Sequence, residues 1–162
     1  MALTSAQYAT LKAAILADPT LNAYPNTGDG NTDMCFQKLN VVASPTFIAW
    51  KPSVSVESTG QAFNGTELAG LSTANQTRLQ TVAQYLAGGY NAGLADVRQM
   101  FNDIWSGAGG ATTRTNLLAL WKRSALLGEK ILASGTGTDA SPAVLSVDGA
   151  ISVQDLTVAR NS

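Results

Sequence analysis

Any chemistry done by this chain would fall to carboxylates, lysines, tyrosines and serines, because histidine is absent and cysteine occurs once, at Cys35. Losing the imidazole removes Ser-His-Asp and Cys-His nucleophilic sites, together with the general base best matched to neutral pH. Zinc sites built on Cys and His are excluded on the same ground. The eleven acidic residues are scattered, and no spacing marks a catalytic carboxylate pair or a Ser-Lys pair. Asp29-Gly30-Asn31-Thr32-Asp33 opens like a calcium loop but lacks the later glycine and the bidentate glutamate, so turn and capping chemistry explains it better. The glycine-rich pieces at Gly88-Gly89, at residues 107–110 and at residues 135–137 are not preceded by a strand, as a phosphate cradle requires. Each follows an amphipathic stretch and reads as a helix end with a left-handed glycine. The expectation is a chain with no catalytic residue, no cofactor and no metal, in which Cys35 is a core residue.

The composition points the same way. The chain has 162 residues, 45% hydrophobic and only 13% charged, with ten Lys and Arg against eleven Asp and Glu. A length of this order hides roughly 70% of the unfolded surface, enough for a core without disulfides. The charged fraction lies far below the roughly 25% usual in soluble domains, and a neutral, small-residue surface suits contact with other protein. A net charge of −1 gives no footprint for nucleic acid. The local excess of Arg98, Arg114, Lys122, Arg123 and Lys130 over Asp96, Asp103 and Glu129 reads as solvated helix faces. Residues 1–5 lack the basic, apolar start of a secretory leader, and no stretch reaches the roughly 18 apolar residues of a membrane helix, so the expected compartment is a cytosol with no membrane partner.

The elements follow from caps and periodicity. Thr4 with Gln7 forms a capping box for a helix carrying Leu3, Tyr8, Leu11, Ile15 and Leu16, ended near Asp18-Pro19. Residues 26–31 are a turn cluster, and residues 33–39 a short helix burying Met34, Cys35 and Leu39. Pro45 and Pro52 break up residues 41–57, leaving an edge strand at 53–57. Residues 66–89 give a short helical turn and then a helix capped by Ser72 or Thr73. Residues 91–106 place Leu94, Val97, Phe101, Ile104 and Trp105 on one helix face. Thr113 caps a helix through Trp121, and Ser124 begins another over residues 125–133. Trp50, Trp105 and Trp121 read as packing residues.

Residues 143–147 and 150–153 around Asp148-Gly149 carry a strong hairpin signal of type I′, and Ser152 with Asp155 can cap a last helix ending at Arg160. The predicted fold is mainly α, a small helical bundle with a C-terminal β-hairpin or arm. Residues 1–140 form the helical domain with its irregular, Pro-containing segment near 41–57. Residues 141–162 form the hairpin and arm, whose removal is expected to leave the helical domain folded.

Several stretches together carry a likeness: Ala43-Ser44-Pro45-Thr46-Phe47-Ile48-Ala49-Trp50-Lys51, the run from Val97-Arg98-Gln99 through Ile104-Trp105-Ser106-Gly107, Leu118-Ala119-Leu120-Trp121-Lys122-Arg123, residues 132–138, and Val147-Asp148-Gly149-Ala150-Ile151-Ser152. With these the chain resembles a family of small tailed-bacteriophage virion structural proteins of the head-tail connector or adaptor kind. The resemblance implies no enzyme and no cofactor. It implies a homo-oligomeric ring at the neck, assembled in the host cytoplasm and kept in the virion, contacting portal, tail or stopper components. Tail terminator, baseplate, capsid cement and assembly chaperone are the alternative roles. Under that resemblance the arm residues Val144, Val147, Ile151, Val153 and Leu156 are the expected interface, and Arg98, Arg114, Lys122 and Arg123 face passing DNA.

Overall fold

The computed structural model describes residues 3–24 and 29–161 and is mainly helical. By its contacts the chain forms two compact units: unit one is Met1–Ala49 with Ser124–Ser162, and unit two is Trp50–Arg123. The division therefore falls at residues 49/50 and 123/124 rather than at 140/141.

In unit one, Thr4 opens α1 (Ser5–Ala17) as its capping box predicts. Gln7 N donates to Thr4 Oγ1 at 3.3 Å, and Thr4 N donates to Gln7 Oε1 at 2.8 Å. Asp18 ends α1 and caps α2 (Pro19–Asn22), accepting from Thr20 N at 2.8 Å, with Pro19 in the first turn where a missing N–H is harmless. The next helix, α3 (Asp29–Leu39), starts four residues before the expected Asp33. Residues 26–28 of the expected turn lie outside the described residues. Cys35 and Leu39, one turn apart, are both buried, whereas Met34 is exposed instead of in the core. Burial pushes the Cys35 thiol up, which suits a packing role and opposes a reactive one.

Two short strands, β1 (Ile48–Trp50) and β2 (Lys122–Ser124), pair as a two-stranded sheet. Residues 122 and 123 were expected to separate a helix ending at Trp121 from one begun by Ser124. The helix that does follow, α9 (Leu127–Leu132), is shorter than expected.

The C-terminal segment departs from the expected hairpin. A type I′ turn needs positive φ at both central residues, and only Gly149 has it, at +95°. Each half of the segment finds a tertiary partner instead. Val144 and Ser134 exchange backbone hydrogen bonds of 2.8 and 2.9 Å, and Ala143 N donates to Ile48 O at 2.9 Å. Ile151 N donates to Asn40 Oδ1 at 2.8 Å while Asn40 Nδ2 donates to Ile151 O at 3.0 Å, so one amide side chain imitates a neighbouring strand. Gly128 leaves the space for Ile151: a Cβ there would sit 2.6 Å from Ile151 Cγ1.

The last helix, α10 (Val153–Asn161), packs on α1 and α3. Ser152 and Asp155 make the expected cap, with Asp155 N donating to Ser152 Oγ at 3.0 Å. Asp155 also accepts from Tyr8 Oη at 2.8 Å and Leu3 N at 3.3 Å. Burial pushes its carboxyl up, but the hydrogen bonds from Ser152 Oγ, at 2.6 Å, and then from Tyr8 and Leu3 prevail and hold it below the usual range. The core of unit one then contains Leu11, Ile15, Leu21, Leu39, Ile151 and Leu156.

Unit two holds α4 (Val56–Ala62), α5 (Gly65–Ala69), α6 (Thr73–Tyr85), α7 (Ala95–Ile104), a 3-10 turn (Ala108–Gly110) and α8 (Ala111–Leu120). The edge strand expected at 53–57 shrinks to one bridge between Val54 and Tyr90, because Ser55 immediately caps α4 by accepting from Ser58 N at 3.1 Å. Ser72 caps α6 as expected, accepting from Asn75 N at 3.3 Å. Val97, Phe101 and Ile104 form the buried face of α7, continued by Trp105, while Leu94 is exposed. The core is aromatic: Phe101 lies 5.5 Å from Tyr90 and 5.8 Å from Trp121, and Phe63 lies 5.2 Å from Trp105, all tilted as ring quadrupoles prefer. Trp121 Nε1 donates to Tyr90 Oη at 2.9 Å. The packing role expected of the tryptophans thus holds for Trp105 and Trp121, and Trp50 packs against the same cluster.

The start of α8 shows how a tertiary partner replaces a local cap. Its cap residue is Gly110, which has no side chain to offer, and Thr113 is buried inside the helix rather than capping it. Glu67 of α5 takes that role, accepting from Thr112 N at 2.9 Å and Thr113 N at 2.7 Å. Burial pushes this carboxyl up, but the hydrogen bonds from Thr113 and Thr112 prevail and hold it down at about 2, against 4.5 ordinarily. A pKa lowered by folding contributes stability above the unfolded value and loses it as pH falls through the folded one. Glu67→Gln should therefore lower the thermal midpoint of unit two at pH 7, and the gap to wild type should close as pH falls from 4.5 towards 2. Thermal scans across that range check it; a gap independent of pH would show that the carboxylate charge is not what holds α8.

Among the described residues no helix is long and apolar enough to cross a membrane.

Candidate functional site

The four cations expected to act together separate. Arg98 and Arg114 line one groove of unit two, while Lys122 and Arg123 lie half-buried in β2 and are not part of its wall. The groove arises from helical spacing. Arg98 and Asn102 are one turn apart on α7, and Ala111, Arg114, Thr115 and Leu118 follow at i, i+3, i+4 and i+7 on α8. Trp50 and Trp121 complete a cleft of about 560 Å³.

Both guanidinium groups are held in place. The Arg98 guanidinium sits 4.1 Å from the centroid of the Trp50 ring, a cation–π contact, and its Nη1 donates to Ala92 O. Arg114 Nη1 donates to Trp105 O and, at 2.8 Å, to Gly107 O. Gly107 takes a φ of +76°, the left-handed glycine expected of this loop. Every one of these partners is a carbonyl or a ring, so among the described residues neither arginine is paired with a carboxylate. Burial draws the Arg98 pKa below its ordinary value, as it must for a half-buried cation with no counter-charge.

A second cavity, of about 270 Å³, lies beneath α6. Its wall is Val56, Phe63, Leu79, Val82, Leu86 and Phe101 with few polar groups, among them the Tyr90 hydroxyl, which is hydrogen-bonded to Thr59 Oγ1 at 2.8 Å. No carboxylate, lysine, arginine or cysteine among the described residues lines this cavity. Among the described residues no three acidic or cysteine side chains gather as a metal site.

The expected interface residues part company as well. Ile151 and Leu156 belong to the core of unit one, because Asn40 and the helices α1 and α3 claim them. Val147 packs partly against that core and Val153 is half-buried, so only Val144, 45% exposed, retains a surface an arm would need. Sequence reasoning missed the groove as a unit, although the spacing 98/102 and 111/114/115/118 was available once both helices were placed. Large apolar side chains are exposed in both units. In unit one they include Leu16, Val41, Val42, Val144 and Val158; in unit two, Tyr85, Leu94 and Leu118. Comparison of the chain with protein-family models, curated proteins and solved structures finds no match.

Proposed function

We propose that this chain is a non-enzymatic structural subunit of a tailed-bacteriophage particle, an adaptor or connector forming a ring at the head-to-tail junction. The observation that carries the reading is the pairing of few charges with large exposed apolar side chains on both units. A closed ring repeats one heterologous contact, so each subunit must offer two different surfaces, and apolar residues left in water by the single chain are what such contacts cover. The likeness of the sequence to connector-type virion proteins supports the same assignment. Its partners are further copies of itself and the portal, tail or stopper components beside it, with assembly in the host cytoplasm and residence in the virion. At a net charge of −1, DNA passing through the ring is a neighbour rather than a ligand.

Copy counting by mass spectrometry on purified particles, before and after heads are separated from tails, tests the proposal. About a dozen copies at the junction are expected of a cyclic neck ring. Hundreds of copies on heads would make the chain a capsid cement protein, and copies confined to the distal tail would make it a terminator or baseplate component. Absence from particles would leave the assembly-chaperone role.

A further inference from the structure

From the α7/α8 groove of unit two we infer a docking site for an acidic segment of another protein chain, in which a carboxylate flanked by an apolar side chain enters between Arg98 and Arg114. The inference stands on the groove itself and does not depend on the virion reading.

Charge carries the first half of it. Two guanidinium groups share one concave wall without a carboxylate among the described residues, and no acidic residue lines the groove. Two like charges in a half-buried cleft raise each other's energy, and an entering anion relieves both at once. The arginines need little further ordering to receive it, since Trp50, Ala92 O, Trp105 O and Gly107 O already fix their planes. Each keeps other N–H groups for a fork-shaped contact with two carboxylate oxygens. Asn102 and Thr115 add neutral hydrogen-bonding groups to the same wall.

The rest of the wall selects protein over nucleic acid. Leu118, 41% exposed, and the partly exposed Trp50 give the groove an apolar side next to its cations. A leucine-like neighbour of an acidic residue covers that side, and a phosphodiester has nothing comparable to place there. Backbone-tracking proteins instead spread many mobile cations along a ridge, one for each phosphate neutralised, whereas here two fixed arginines lie in a cleft.

Isothermal titration of the full chain at low salt tests the inference. The probe is a capped hexapeptide of alternating aspartate and leucine, set against its asparagine counterpart and a short DNA duplex. The aspartate peptide should saturate and bind at least tenfold more tightly than the asparagine one. Thr115→Asp places a competing carboxylate beside Arg114 on the exposed side of α8 and should weaken the aspartate peptide at least tenfold, with unchanged circular dichroism. Arg114→Gln should do the same; if that variant fails to fold, Thr115→Asp alone decides. No saturation by the aspartate peptide, equal binding of both peptides, tighter binding of the duplex, or indifference to Thr115→Asp would each overturn the inference.

Discussion

Leu156→Ala is expected to destabilise unit one by about 4 kcal/mol, and removal of residues 153–161 to abolish its cooperative unfolding altogether. Leu156 is fully buried where α10 meets α1 and α3, and Ala159 one turn away is buried with it. Truncation would also strip Asp155 from Tyr8 Oη and Leu3 N, freeing the start of α1. Urea unfolding followed by far-UV circular dichroism, with tryptophan emission as a separate report on unit two, measures both effects. All three tryptophans, Trp50, Trp105 and Trp121, lie in unit two, so the two signals should separate. A truncated chain that kept the wild-type midpoint would restore the reading of residues 141–162 as a detachable arm. In the structure Ile151, Leu156 and Ala159 of that segment belong to the core of unit one, so removing them takes away fold rather than an attachment.

Glu129→Ala should cost about 3 kcal/mol, and Glu129→Gln roughly half as much. Glu129 is 1% exposed, and its two oxygens accept from different parts of the chain: Oε2 from Leu126 N at 2.8 Å and Oε1 from Gly149 N at 2.6 Å. Alanine leaves both half-buried backbone donors without this acceptor. Glutamine has one carbonyl oxygen and can satisfy only one of them, turning its NH₂ towards the other. Denaturant midpoints in the order wild type, glutamine, alanine are the expected result. An alanine variant within about 0.5 kcal/mol of wild type, the scatter of ordinary surface substitutions, would mean that water reaches both donors.

The two variants bear on the particle differently. Glu129→Ala loosens the segment leading to Ile151 without touching the exposed Val144, so any loss of incorporation should follow the loss of stability. Replacing Val144 itself, which lies at the surface beside its bridge to Ser134, would test an interface with little effect on the core.

Where the structural cause was local, the sequence was legible. The Thr4/Gln7 box, the Ser72 cap, the Ser152/Asp155 cap and the buried face of α7 each involve residues within one or two turns of each other, and each stands where it was expected. The absence of histidine limited the chemistry before any fold was considered. The groove was half legible: both arginines stood out as cations, but nothing local joined α7 to α8.

The hairpin marks the boundary. Alternating residues around Asp148-Gly149 are a sound local signal, yet the backbone groups of 143–151 are claimed by Ile48, Ser134, Asn40 and Glu129, remote in sequence. Local preference for a turn is worth about 1 kcal/mol, less than several buried hydrogen bonds and the seating of Ile151 and Leu156 in a core, so the tertiary partners win. The same competition put Glu67 at the head of α8 in place of Thr113. Residue types and their short-range spacing thus determined the caps of α1, α6 and α10, the buried face of α7 and the absence of imidazole chemistry. Only the tertiary structure decided which carboxylate caps which helix, that Ile151, Leu156 and Ala159 complete a core, and that two arginines share a groove, because those outcomes depend on burial, and burial is a property of the folded chain.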